Sequence, residues 1–188
     1  MKRLFFDTEF TGLTKETQLI SIGIIDEDCR TFYAELNDYD TELIARNKWM
    51  QENVIDNLIF NNEFEIFKKE NGNISMKNTR KEVSGELIKW IGDEEVEFIS
   101  DCNSYDHVLL VDLITCGGSA LDMPRNISPY CHDINQDIAR FYRVDNVKAF
   151  NMNREEIVDS TSDKKHNALK DAIDIKNIYE MIKGRKER

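Results

Sequence analysis

Residues 4–13 read LFFDTEFTGL, and their order decides how the chain is built. Leu4-Phe5-Phe6 is the apolar run of a strand. Side chains of a strand alternate between its faces, so Asp7 and Glu9 point to one side while Thr8 points to the other. Two carboxylates so placed repel each other, and burying them raises the cost. A compensating cation is expected beside them. Gly12 breaks the run, which predicts a first strand over about 2–8.

Two β-rich stretches follow, QLISIGIIDED and CRTFYAEL, with Asp26-Glu27-Asp28 between them as a hairpin turn. Three sequential strands at the start of the chain therefore read as antiparallel. From about 40 to 92 the pattern reads as polar and helical. Its clearest part is TRKEVSGELIKWIG, where Val83, Leu87 and Ile91 recur at i, i+4, i+8 and Gly92 ends the helix. ENGNISM at 70–76 reads as an exposed turn within it. VEFIS at 96–100 is a short buried-type strand. A helix is expected over YDHVLLVDLITC, closed by Gly117-Gly118. Residues 129–134 read as a last strand and NQDIARFYRV as a helix, with a final helix over about 167–183. This is an α/β layout with a mixed sheet.

The 188 residues suit one domain over 1–188. No apolar stretch approaches the roughly 18 residues of a membrane span. Lys2-Arg3 followed by a short apolar run ending at Asp7 does not read as a signal peptide, so a cytoplasmic protein is expected. Cys29, Cys102, Cys116 and Cys131 form no CxxC pair and read as reduced thiols. The net charge of -11 argues against bulk electrostatic binding of nucleic acid. It leaves open an enzyme whose carboxylates hold divalent ions that meet the phosphates. Lys164-Lys165 and the basic tail from Lys183 to Arg188 read as solvated segments.

Two further carboxylates break the bland pattern. In the last helix Ile175, Ile178 and Ile182 form an apolar stripe. Extended backwards, it reaches Asp171 and Ala168, so Asp171 lies on the buried side while Lys170 and Asp174 fall on the polar face. His166 lies about 140° round the helix from Asp171 at 3.6 residues per turn. The two share a site only if His166 sits in the preceding loop, with Asn167 as the helix cap. The second carboxylate is Asp106, at the third helical position if Asn103 caps. An Asn-x-x-Asp helix start is stabilised by the helix dipole without any function. Asp101, at the end of the strand, is an alternative to it.

FFDTEFTGL, SYDHVLL and HNALKDA, in that order, resemble the three motifs of the DEDDh family of 3′-to-5′ exonucleases, over residues 4 to about 180. The second motif departs from the usual pattern: Asp101 and Cys102 stand where His-Asn is common. The short chain is most similar to the stand-alone exoribonuclease branch near ribonuclease T and oligoribonuclease. The resemblance implies a ribonuclease H-like fold, a five-stranded mixed sheet with its first three strands antiparallel, flanked by helices. It implies two Mg²⁺ or Mn²⁺ ions, with Asp7 bridging both. Glu9 and Asp171 would hold the ion that activates water and Asp106 the other, with His166 as general base. Phe10, Thr11, Gly12 and Leu13 would receive the 3′-terminal nucleotide, although Phe10 and Leu13 also suit a core. The expected reaction releases nucleoside 5′-monophosphates from RNA or single-stranded DNA 3′ ends, with RNA favoured, and the relatives imply a homodimer. The rival readings are a non-catalytic nucleic-acid-binding or scaffold domain of the same fold, and an endonuclease.

Overall fold

The computed structural model describes residues 1–158 and 166–186; Lys164-Lys165, the side chains of Arg185 and Lys186, and Arg188 lie outside the described residues. In chain order the elements are β1 Lys2–Phe10, β2 Leu19–Asp26, β3 Thr31–Leu36, α1 Lys48–Asn53, β4 Ile66–Glu70, β5 Asn73–Asn78 and α2 Arg80–Ile91. They continue with β6 Val96–Ser100, α3 Asn103–Thr115, β7 Ile127–Asp133, α4 Ile134–Tyr142, α5 Asn146–Phe150, α6 Arg154–Val158 and α7 Ala168–Lys186.

One mixed sheet runs β4-β5-β3-β2-β1-β6-β7. β1, β2 and β3 pair antiparallel, as their sequence suggests, and β6 and β7 add parallel to β1. The sheet has seven strands rather than the five expected, and the extra pair comes from residues 66–78. Asn71 and Gly72 both take positive φ, +50° and +84°, between the paired residues Glu70 and Asn73. That is the two-residue turn whose twist suits a hairpin. Ile74 and Met76 then alternate into the core while β5 lies parallel to β3. β4 is the outer edge, where exposed Lys68 and Lys69 discourage pairing with another chain.

Both faces of the sheet are covered, so every residue of β2 is buried. On one face Leu4, Phe6, Ile22, Ile24 and Phe32 pack with Val83, Leu87 and Trp90 of α2 and Leu110 and Leu113 of α3. On the other, Phe5, Ile25 and Ile99 pack with Ile134 and Ile138 of α4 and Ile175, Ile178 and Ile182 of α7. Each such side chain contributes about 1.5–3 kcal/mol by leaving water. Among the described residues no helix is long and apolar enough to cross a membrane.

Two features of this packing create the site. β1 pairs with β6 only as far as Phe5↔Ile99, so from Asp7 onward its β6 side is open. Gly23, opposite Asp7 on β2, has no side chain, and α7 sits directly on it. A Cβ at Gly23 would lie 2.1–2.3 Å from the backbone of Ala168 and Leu169. The start of α7 is thereby set down flush beside the acidic end of β1.

Candidate active site

A cleft of about 470 Å³ opens at the end of β1. Asp7, Glu9, Asp171 and His166 all line it, together with Asp101. Carboxylate oxygens of Asp7, Glu9 and Asp171 lie within 4.8 Å of one another, and so do those of Asp7, Asp101 and Asp106. Asp7 belongs to both groups. The period-2 placement of Asp7 and Glu9 and the helical placement of Asp171 therefore meet in space.

Asp106 arrives from the first turn of α3. That helix begins at Asn103 with Cys102 as its cap, so Asp106 is its fourth residue rather than its third. Asn103 does not cap the helix. Its side chain accepts hydrogen bonds from the Ser100 hydroxyl at 2.6 Å and from the Cys131 thiol at 2.7 Å, tying β6 to β7. Thr8, which points away from Asp7, donates its hydroxyl to Asp106 Oδ1 at 2.6 Å. Asp106 is only 1% exposed, and its Oδ2 is buried without a hydrogen-bond partner.

These carboxylates hold protons abnormally well. Burial and the charges of Asp106, Asp171, Glu9 and Asp101 push Asp7 well above the usual carboxylate range. Burial and the charges of Asp171 and Asp106 push Glu9 up to about 8. Burial raises Asp106 to about 7, against the lowering effect of the Thr8 hydroxyl, and Asp101 adds to the rise. Such a set of hard oxygen donors, one of them buried and unpartnered, fits divalent cations of the Mg²⁺ or Mn²⁺ kind. Asp7, Glu9, Asp106 and Asp171 would hold them.

His166 precedes α7 with its backbone in the left-handed region at φ +56°. Asn167 caps the helix as expected, its side chain accepting from the Lys170 amide at 3.3 Å. The His166 ring packs edge-on against Trp49 of α1, with ring centroids 5.0 Å apart. Trp49 is 52% exposed and forms a cleft wall with Met50 and Val54. The sequence reading missed this wall because α1 is only six residues long and shows no sustained apolar period.

The four residues after Glu9 divide. Phe10 lines the cleft with its ring stacked on Tyr105, at 5.3 Å and 17°. Leu13 lines it while 73% exposed, which removes it from the core. Gly12 also lines the cleft. Thr11 does not: it is buried, and it exchanges hydrogen bonds with Gln18, its amide donating to the Gln18 carbonyl and its hydroxyl accepting from the Gln18 amide. Asp174 also differs from expectation. It is 5% exposed and lines the cleft, 3.7 Å from Lys170, because α7 lies so close to the sheet that its flank is covered as well.

The structure is a mixed α/β fold whose sheet is flanked by helices, with acidic residues gathered at the open end of β1. The chain belongs to the family of Rv2179c-like 3′-5′ exoribonuclease domains, whose profile matches residues 2–183, and it is a 3′-5′ exonuclease. The 3′-5′ exoribonuclease Rv2179c of Mycobacterium tuberculosis (strain ATCC 25618 / H37Rv) is 26% identical over 134 residues, covering 71% of this chain and 72% of the relative. The same figures hold for the 3′-5′ exoribonuclease MT2234.1 of strain CDC 1551 / Oshkosh. Among solved structures, the zinc-bound E. coli ExoI–ssDNA complex superposes with a TM-score of 0.62 at 12% identity, over 100% of this chain and 41% of that one. A 3′-exonuclease that recognises the 3′ end of the histone mRNA stem-loop gives 0.59 at 12% identity, over 97% of this chain and 64% of that one. The chain thus spans less than two thirds of either structure, and the likeness is one of fold.

Proposed function

We propose that this exonuclease removes nucleoside 5′-monophosphates one at a time from 3′ ends, with RNA as its preferred substrate, and that it does so with two Mg²⁺ or Mn²⁺ ions. The observation that carries the reading is the pair of carboxylate triads sharing Asp7, at least three of whose members resist ionisation without a cation. When bound, two such ions neutralise this charge and polarise the attacking water and the scissile phosphate. Asp7 would serve both positions, with Glu9 and Asp171 on one side and Asp106 on the other. Thr8 fixes the rotamer of Asp106 through its hydroxyl. His166 takes the proton of the attacking water, and Trp49 restrains its ring edge-on. Phe10, backed by Tyr105, and the exposed Leu13 present apolar surface to the terminal base and sugar, with Gly12 beside them. The preference for RNA is taken from the named exoribonuclease relatives. The reading also includes a single domain that works in the cytoplasm as a homodimer.

The test is digestion of 5′-labelled RNA and DNA of matched sequence with Mn²⁺ present. Stepwise shortening from the 3′ end, faster on RNA, is expected. Internal cuts would favour an endonuclease, and intact oligomers would favour a non-catalytic binding domain. Faster loss of DNA would overturn the substrate preference.

A further inference from the structure

The sequence offers Asp101 and Asp106 as rivals for one place, whereas the fold makes them neighbours. Asp101 stands immediately after β6, and one of its carboxylate oxygens lies within 4.8 Å of those of both Asp7 and Asp106. Its position is fixed twice over. The Asn135 side chain donates to its carbonyl at 2.7 Å, and Arg154 Nε donates to its Oδ2 at 2.9 Å.

Arg154 itself has nothing left to offer a substrate. Its Nη1 donates to the carbonyls of Ala149 and Met152, and its Nη2 to Asn135 Oδ1 and the Phe150 carbonyl. With Nε on Asp101, all five of its N–H groups are used. Arg154 is therefore an anchor that holds one oxygen of Asp101 and supplies one positive charge. Three carboxylates face one another there, and that one charge can balance only one of them. An asparagine at 101 could accept the same hydrogen bond without adding a third charge beside Asp7 and Asp106. A second observation points the same way: Asp106 Oδ2 is buried and has no partner.

We infer that Asp101 is a fifth carboxylate ligand of the centre, joining Asp7 and Asp106 on the same divalent ion while Arg154 keeps its carboxylate in place. This rests on the two-ion reading above. Asp101 then acts with Asp106 rather than in its stead, and Arg154 is a positioning residue.

Crystals of the wild-type protein grown with Mn²⁺ test this directly by anomalous scattering. A peak is expected at roughly 2.1 Å from an Asp101 carboxylate oxygen, the bond length of a hard six-coordinate ion. In solution, calorimetric titration of Asp101→Asn with Mn²⁺ should weaken one of two binding steps. The loss should be at least the roughly tenfold that removal of an outer partner costs. An ion bonded to Asp7 and Asp106 but beyond bonding distance of Asp101 overturns the inference and leaves the two-ion mechanism standing. Unchanged titration of Asp101→Asn does the same. Failure of wild type to bind Mn²⁺ at all removes both. The crystal decides the matter if the variant does not fold.

Discussion

The acidic centre should make the metal-free protein less stable as pH rises, in a window set by its own carboxylates. In an unfolded chain Glu9 loses its proton near 4.5 and Asp106 near 3.8. In the folded chain they hold protons up to about 8 and about 7. Between these limits the folded state binds more protons than the unfolded state, so stability falls with rising pH. The protonated site contributes fully below about 3.8, and its contribution is gone above about 8. At about 1.4 kcal/mol per pH unit, the displacement of Glu9 alone corresponds to about 5 kcal/mol. Asp106 shares part of the same repulsion, so the two do not add in full. For a chain of this size about 1 kcal/mol moves the melting temperature by roughly 2–4 °C, so the fall amounts to about 10–20 °C. The assay is thermal melting in chelator between pH 5 and 9 for wild type and Glu9→Gln. Their difference isolates the site from the repulsion of the whole -11 surface. Wild type should lose about 10 °C or more relative to the variant across the window, and saturating Mn²⁺ should restore it. Parallel melting curves in chelator would refute the electrostatic account of the cleft.

Two substitutions test how the site is assembled. Gly23→Ala puts a Cβ into the backbone of α7 and should cost at least the 1–3 kcal/mol of an overpacked core, read by denaturant unfolding. Because it moves Asp171 away from Asp7, it should also weaken Mn²⁺ binding without changing any ligand; unchanged affinity would show that α7 is not seated by this contact. His166→Ala should lower kcat by about 10²–10⁴-fold while the Mn²⁺-induced rise in melting temperature persists. Loss of that rise would assign His166 to ion binding instead of proton transfer.

The parts of the site that obey a period were legible in the sequence. Asp7 and Glu9 share a face because a strand repeats every two residues, and Asp171 is found by extending the stripe of Ile175, Ile178 and Ile182. Asn167 as a cap and His166 in the loop followed from helical geometry. Contacts between distant segments carry no such signature. Arg154 meets Asp101 across an intervening strand and three α-helices, and nothing local to either residue announces it. The hydroxyl of Thr8 reaches Asp106 although Thr8 faces away from Asp7. The β4–β5 hairpin did leave a mark, Asn71-Gly72, but with only Ile74 and Met76 alternating inward the surrounding run looked like a polar excursion. Asp174 was misplaced because periodicity assigns a face of a helix but not how far that face is covered.

The site is closed by α7, the last described helix, which packs across β1 and β2. A chain still emerging from the ribosome carries Asp7, Glu9, Asp101 and Asp106 long before Asp171 and His166 have been made. The acidic cleft is therefore complete only once α7 has docked across Gly23. A growing chain that stops short of residue 171 lacks one carboxylate of the cleft, however well its sheet has formed.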